Sequence, residues 1–335
     1  QEYSKLIEEG HSQRSACLIL GLTRSTIQRY IKSVLEDEVS EKYLELPKKT
    51  SFAEACSNVA STIGNIGKAM SGESNLGKEP LYKFDLDIKK TILVVADTQC
   101  KSEEDLEYML WVGDYIAEKQ PDVIVHIGDH YDFPSLSSYD KGKSSAEGKR
   151  LIKDIEAGNT GFEYLNMAMQ KHKNYNPRKI FCLGNHEHRL DRYIDDNPEL
   201  IGTLGTDLLP FEKYGWEVHP FLKPVEVNGI FFVHYLANPM NGRPYSGTAS
   251  SILKTVGKSF VVGHKQVLDI AIRPTIDGKQ QIGIINGACY PFDEKYKGFQ
   301  GNNHFRGITV LTEVRDGFGL PSFISLQHLK QLYYS

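Results

Sequence analysis

Polar side chains follow five short apolar runs of the chain, at the point where each run ends. The runs are rich in valine, isoleucine and phenylalanine, which is typical of buried strands. Each polar end alone is compatible with a solvated turn, a helix cap or a core histidine. Five in succession predict one shared site, because ligands of α/β proteins bind outside the carboxyl ends of strands. The five ends are Asp97-Thr98-Gln99, Gly128-Asp129-His130-Tyr131-Asp132, Gly184-Asn185-His186-Glu187, His234 and Gly263-His264-Lys265-Gln266.

The donor atoms of these ends are carboxylate and amide oxygens and imidazole nitrogens, without a thiolate. Such donors suit hard or borderline divalent ions such as Mn, Mg, Fe or Zn. The cysteines are odd in number, scattered and without a C-x-x-C pair, which argues against a zinc–thiolate site or a disulfide framework. They are Cys17, Cys56, Cys100, Cys182 and Cys289.

The elements that must position these groups alternate between strand and helix after residue 81. Two long helical stretches, 103–119 and 146–173, separate the first apolar runs. Three later apolar runs, at 282–285, 308–314 and 323–326, have only short connections. This pattern predicts an α/β core with layered sheets and a hairpin-like last part.

The ordered series D-x-(H/Q), G-D-x-x-D, G-N-H-E, H and G-H-x-(H/Q) resembles the calcineurin-like metallophosphoesterase family. The motifs cover Thr91 to Gln266. The resemblance implies a double-sheet core packed between helices, in an αββα arrangement. It also implies two divalent metal ions about 3.5 Å apart, as in other two-metal phosphoesterases. Hydrolysis would proceed by in-line attack of a hydroxide that bridges the two ions.

The resemblance also implies a role for each motif residue. Asp129 corresponds to the carboxylate that bridges both ions, and Asp97 to a ligand of the first ion. The ligands of the second ion would be Asn185, His234 and His264. His186 would be the proton donor beside the leaving-group oxygen, and Asp132 would orient it.

Gln99 and Gln266 depart from the family pattern, which usually has histidine at both positions. Both belong to the first site. A site of Asp97, Gln99, Asp129 and Gln266 is all oxygen, so it should prefer Mn or Mg over Zn. The alternative is a decayed first site, which would leave a one-metal or inactive protein. The D-T-Q start resembles metallophosphoesterases of phages and prophages, and a phage-encoded protein would act in the host cytoplasm.

Other residues near the motifs are candidates for substrate contact. Arg189 could clamp a phosphate bidentately or cap the next helix. His130 and Tyr131, inside the G-D-x-x-D loop, could touch substrate or belong to a solvated loop.

Residues 1–38 form a separate unit in the sequence. A helical pattern, Gly21 and a second helical pattern predict an all-α helix-turn-helix that resembles those of resolvases and invertases. Residues 11–35 contain four basic side chains and no acidic one. The second helix would lie in the DNA major groove and contact DNA through Arg24, Gln28, Arg29 and Lys32. A helical module used only for packing or oligomerisation is the alternative.

Residues 39–83 are expected to be a linker that could contain one helix, and residues 84–335 the metallophosphoesterase domain. The hydrophobic share of 40%, the charged share of 24% and the formal charge of −4 are ordinary for a globular protein. No apolar run has the roughly 20 residues that span a bilayer. The sequence therefore predicts a cytoplasmic protein without membrane partners, and it permits a homo-oligomer.

The metal site predicts hydrolysis of a P–O bond but does not identify the substrate. The basic helix-turn-helix favours DNA, because its charge would add phosphate-directed affinity. We therefore expect a DNA nuclease. The alternatives are a small-molecule or protein phosphoesterase, and a catalytically weak DNA-binding or regulatory protein.

Overall fold

A computed structural model describes residues 90–294 and 297–335. In chain order its strands are β1 (Lys90–Val95), β2 (Val123–His126), β3 (Arg178–Cys182), β4 (Trp216–His219), β5 (Val225–Val227), β6 (Ile230–Val233), β7 (Ser259–Val262), β8 (Asp269–Pro274), β9 (Gln280–Ile285), β10 (Gly307–Arg315) and β11 (Phe318–Ser325). Its α-helices are α1 (Tyr108–Lys119), α2 (Leu151–Gln170), α3 (Glu187–Asp196), α4 (Ala249–Val256), α5 (Gly298–Asn302) and α6 (Leu326–Tyr333).

The strands form two mixed sheets. The first has the order β11–β10–β1–β2–β3–β4, and the second β5–β6–β7–β9–β8. In the first sheet β1 to β4 are parallel neighbours. In the second sheet β6, β7 and β9 are parallel. Parallel strands bring their carboxyl ends to the same edge, so the polar segments after β1, β2 and β3 share one edge, and those after β6 and β7 share another.

Alternation along the strands builds the layers, because successive side chains point to opposite faces. In β1, Ile92 and Val94 pack against Phe232 and Val261 of the second sheet, forming the core between the sheets. The other face of the first sheet, including Leu93, packs with α1, α2 and α6. The far face of the second sheet packs with α4. This helix–sheet–sheet–helix order confirms the layered α/β core that the sequence predicts.

The differences from the predicted elements lie where periodicity is weak. Strands β4, β5 and β8 are short or polar, and their sequences do not stand out from loops. The two long helices begin at Tyr108 and Leu151, later than the predicted positions 103 and 146. The helix-turn-helix and the linker lie outside the described residues, so both stay predictions. No helix within residues 90–294 and 297–335 combines the length and apolar character required to cross a membrane.

Candidate metal centre

The predicted ligands lie on loops with strained backbones. Five of them are non-glycine residues with φ in the left-handed region, which is uncommon for such residues and costs about 1–3 kcal/mol each. Hydrogen bonds between the loops hold this conformation: the Asp97 amide donates to Gly128 O (3.1 Å) and the Gln99 amide to Asp129 O (2.9 Å). Strain of this kind clusters at functional sites. The φ angles are 47° for Asp97, 50° for Gln99, 54° for Asp129, 67° for His264 and 56° for Gln266.

Glycines 128 and 184 allow the loops after β2 and β3 to touch. Gly128 has a φ of 91°, and a Cβ there would lie 2.5 Å from the amide nitrogen of Gly184. A Cβ on Gly184 would lie 2.2 Å from Asp129 Oδ1. Only glycine permits this approach of two backbones, which explains the glycines of the G-D-x-x-D and G-N-H-E motifs.

Four predicted ligands of the second ion converge. One ligand atom each of Asp129, His234 and His264 lies within 4.8 Å of the others. The Asn185 Oδ1 atom is 2.9 Å from His234 Nε2 and 2.7 Å from His264 Nδ1. The Nδ1 atom of His234 lies 2.8 Å from Ile127 O and donates to it, so Nε2 faces the centre. We call Asp129, Asn185, His234 and His264 the second site; their donor types and convergence fit a divalent ion.

A buried carboxylate dominates the electrostatics of this centre and attracts positive charge. Burial alone would raise the pKa of Asp129, but the neighbouring His186 and His234 hold it well below its usual range. Burial opposes the charge of His234, yet the Asp129 carboxylate raises its pKa to about 9. Burial, with His234 nearby, lowers the pKa of His264 to about 4, so that ring is neutral. A metal ion bound here would take the place of the extra proton that His234 carries beside Asp129.

The first site comprises Asp97, Gln99, Asp129 and Gln266. Burial raises the pKa of Asp97 to about 7, with the negative charge of Asp129 adding to the effect and His234 opposing it. The Gln99 side chain is buried, and neither its amide oxygen nor its nitrogen has a hydrogen-bond partner within the described part of the chain. An orphaned buried amide is costly, and a cation bound against its oxygen would satisfy it.

Gln266 faces the first site with its nitrogen. Its Nε2 atom donates to Asp97 Oδ1 at 3.3 Å, while its oxygen accepts from the Tyr290 hydroxyl at 2.8 Å and from Lys297. Its expected role as an oxygen ligand therefore does not match this orientation, because an amide NH₂ group offers no lone pair to a metal.

His186, Asp132 and Arg189 form a connected group beside Asp129. The His186 Nδ1 atom lies 2.7 Å from Asp132 Oδ1, while its Nε2 atom lies 3.6 Å from Asp129 Oδ2. The Arg189 guanidinium donates to Asp132 O at 2.8 Å and to His186 Nε2 at 2.9 Å. Burial lowers the pKa of His186, but Asp129 and the hydrogen bond to Asp132 raise it above the ordinary value. Arg189 thus supports the pair and does not cap a helix.

His130 and Tyr131 are fully buried, which corrects their interpretation as substrate contacts. His130 Nδ1 is 2.8 Å from the Thr98 hydroxyl, and its Nε2 donates to Gly158 O at 2.9 Å. The Tyr131 hydroxyl donates to Asn159 at 2.8 Å. Both rings pack the loop onto the helical layer. The predicted DNA contacts Arg24, Gln28, Arg29 and Lys32 lie outside the described residues.

Glu187 is a site residue that motif reasoning left without a role. Its buried carboxylate accepts the backbone N–H groups of Gly184, Asp129, His130 and Tyr131 at 2.7 to 2.9 Å. It therefore fixes the G-D-x-x-D loop against the G-N-H-E turn. Its position as the last residue of the G-N-H-E motif could have indicated a role in the site. The sequence does not show, however, that the Glu187 side chain points into the G-D-x-x-D loop.

Lys101 is a second unpredicted residue near the site. It is 8% exposed, and its ammonium lies 2.9 Å from Glu294 and 3.9 Å from Asp132. It links the carboxylate that orients His186 to the segment after β9. The sequence around Lys101 does not indicate that this lysine belongs to the site, because its partner Glu294 is remote in sequence.

Replacing Glu187 by glutamine should lower the free energy of unfolding by about 3 kcal/mol, because the new NH₂ group would face buried N–H donors. Urea unfolding followed by circular dichroism measures this. The matched control is Glu163→Gln, on the exposed face of α2, which should change stability by less than about 0.5 kcal/mol. Equal effects of the two substitutions would show that Glu187 does not organise the loops.

Comparisons with known proteins identify the family of the chain. The sequence profile of the calcineurin-like phosphoesterase family matches residues 90–274. The Gene 54 protein of Mycobacterium phage D29 is 29% identical over 182 residues, which is 53% of this chain and 69% of the phage protein. The Gene 54 protein of Mycobacterium phage L5 is 27% identical over 183 residues, with the same coverage of 53% and 69%.

Solved structures with detectable similarity include two phosphoesterases. One is described as a novel archaeal phosphodiesterase, with 14% identity, coverage of 70% of this chain and 99% of that chain, and a TM-score of 0.32. The other is Yfce, a phosphoesterase from E. coli, with 14% identity, coverage of 70% and 99%, and a TM-score of 0.31. On the profile match over residues 90–274, the chain belongs to the calcineurin-like phosphoesterase family.

Proposed function

We propose that this chain is a divalent-metal-dependent phosphodiesterase that cleaves DNA. The observation that carries the metal-dependent chemistry is the convergence of Asp129, Asn185, His234 and His264 beside the pair formed by His186 and Asp132. Members of this family use divalent ions, and manganese is the ion that the oxygen-rich first site favours.

Divalent ions bound here would supply Lewis acidity toward water and toward the phosphoryl oxygens. The remaining steps belong to the side chains. Asp132 holds the proton of His186 at Nδ1, and Nε2 is the atom that would donate to the leaving oxygen. To carry that proton, Nε2 must first give up the hydrogen bond that it accepts from Arg189 in this structure. Arg189, anchored on Asp132 O, keeps the ring of His186 in place until substrate arrives.

A run of aromatic rings beside the second site supports a nucleic-acid substrate. The Tyr235 ring lies 4.8 Å from that of His264, the Phe221 ring 5.5 Å from Tyr235, and the His188 ring stacks on Phe221 at 4.7 Å. These side chains are partly exposed. Rings of this kind stack bases without sequence preference.

The basic helix-turn-helix predicted for residues 1–38 is the other support for DNA. Replacing Arg24, Arg29 and Lys32 together by alanine should slow cleavage of linear DNA. It should also reduce the slope of log rate against log salt by about three, because each lost cation releases about one fewer counterion. Hydrolysis of bis(4-nitrophenyl) phosphate should not change.

The control for that triple variant replaces three exposed lysines of the metallophosphoesterase domain by alanine: Lys171, Lys173 and Lys258. It should leave the salt dependence of DNA cleavage unchanged. Turnover of a phosphomonoester by a wild-type protein that leaves DNA intact would establish the phosphatase alternative. Retardation of DNA without any cleavage would establish the binding-protein alternative.

A further inference from the structure

The orientation of Gln266 is determined by Lys297. A lysine ammonium has three donors and no acceptor, so the atom of Gln266 that faces it must be the amide oxygen. The Tyr290 hydroxyl donates to the same oxygen at 2.8 Å. Because the oxygen lies toward Lys297, the amide NH₂ group faces Asp97 at 3.3 Å.

This orientation removes one oxygen from the first site. The remaining candidate donors are the two carboxylates, Asp97 and Asp129, and the amide of Gln99, which has no hydrogen-bond partner within residues 90–294 and 297–335. The second site, in contrast, presents its carboxylate, its amide oxygen and both imidazoles toward one point. The second site therefore has all four of its expected ligands, whereas the first site lacks the oxygen of Gln266.

Lys297 is held in place by a buried partner. Its ammonium donates to the hydroxyl of Tyr290 at 2.9 Å and lies 5.6 Å from the centroid of that ring. Tyr290 is fully buried, so the ammonium has a fixed anchor. The Gln266 side chain thus lies between the ammonium of Lys297 and the carboxylate of Asp97. Lys297 occupies the oxygen that Gln266 would need to bind an ion.

We infer that Lys297 acts as a built-in competitor for the cation of the first site. Its charge repels a second divalent ion, and its hydrogen bond turns the Gln266 oxygen away. The second site therefore holds its ion tightly and the first site holds one only weakly. This inference rests on the proposed metal-dependent function and concerns the number of ions, not the substrate.

The test measures metal binding by the whole 335-residue chain, stripped of ions by a chelator. Manganese titration is followed by electron paramagnetic resonance, which separates an isolated Mn²⁺ from an exchange-coupled pair. We expect one tight ion with an isolated signal, and a coupled signal only at much higher concentration. Lys297→Met should lower the Kd of the weaker ion at least about tenfold, because a neighbouring like charge is removed.

Two further variants complete the test. Lys297→Arg keeps the charge and should bind manganese as the wild type does. The matched control is Lys330→Met, which removes a lysine 5.2 Å from the Trp111 ring and should change neither Kd. Circular dichroism verifies that each variant is folded.

The inference is overturned if the wild type binds two ions with equal affinity, if it binds none, or if Lys297→Met leaves the weaker Kd within twofold. None of these readouts involves DNA. Failure to cleave DNA with this binding pattern intact would therefore count against the nuclease proposal and not against the role of Lys297.

Discussion

Replacing Asp129 by asparagine should reduce the rate of DNA cleavage at least about 10³-fold, because bound ions supply several kcal/mol of transition-state stabilisation. Asparagine has the same shape as aspartate and keeps a side-chain oxygen. In the wild type, Asp129 Oδ1 accepts a hydrogen bond from the backbone N–H of His186 at 2.9 Å, and the asparagine oxygen can accept the same bond. What it removes is the negative charge that faces His234 and both ion sites. Bound manganese should fall in parallel.

The control for this substitution is Asp114→Asn, on the exposed face of α1. It should leave both cleavage and manganese content unchanged. Thermal unfolding of the two variants shows whether Asp129→Asn is folded. A folded Asp129→Asn variant with near-normal cleavage would mean that this metal centre does not perform the reaction.

Replacing His186 by alanine should lower kcat for DNA by about 10²–10⁴-fold, the usual contribution of a positioned general acid. The same variant should lose far less activity on a 4-nitrophenyl diester, because 4-nitrophenolate is a stable anion that leaves without a proton. Asp132→Asn should show the same leaving-group pattern with a smaller loss, since it acts through the orientation of His186.

The control here is His172→Ala, an exposed histidine just after α2. It should not alter kcat for either substrate. Equal losses of His186→Ala on DNA and on the 4-nitrophenyl diester would assign His186 to substrate binding. Manganese binding should persist in His186→Ala, which separates this variant from Asp129→Asn.

The positions of the predicted ligands could be read from the sequence because each one follows a buried apolar run. A run such as Val123–His126 is identifiable as a strand, and the residues after a parallel strand must lie at its carboxyl end. The resemblance to the phosphoesterase motifs then placed Asp129 and Asn185 in one centre. The structure brings both together, with His234 and His264.

Side-chain direction could not be predicted in the same way. His130 and Tyr131 lie in a polar loop sequence, yet their rings point into the helical layer, because Gly158 leaves space for Tyr131. Gln266 stands at a ligand position, but its orientation depends on Lys297, 31 positions later. Such contacts arise from the packing of remote segments, and strand patterns carry no information about them.

The most direct test of metal-dependent DNA cleavage uses linear DNA and the purified 335-residue chain after chelator treatment. We predict no cleavage without a divalent ion, full cleavage after addition of manganese, clearly slower cleavage with zinc, and none by Asp129→Asn under any of these conditions. Cleavage by the ion-free protein, or intact DNA in the presence of manganese, would contradict a metal-dependent DNA phosphodiesterase.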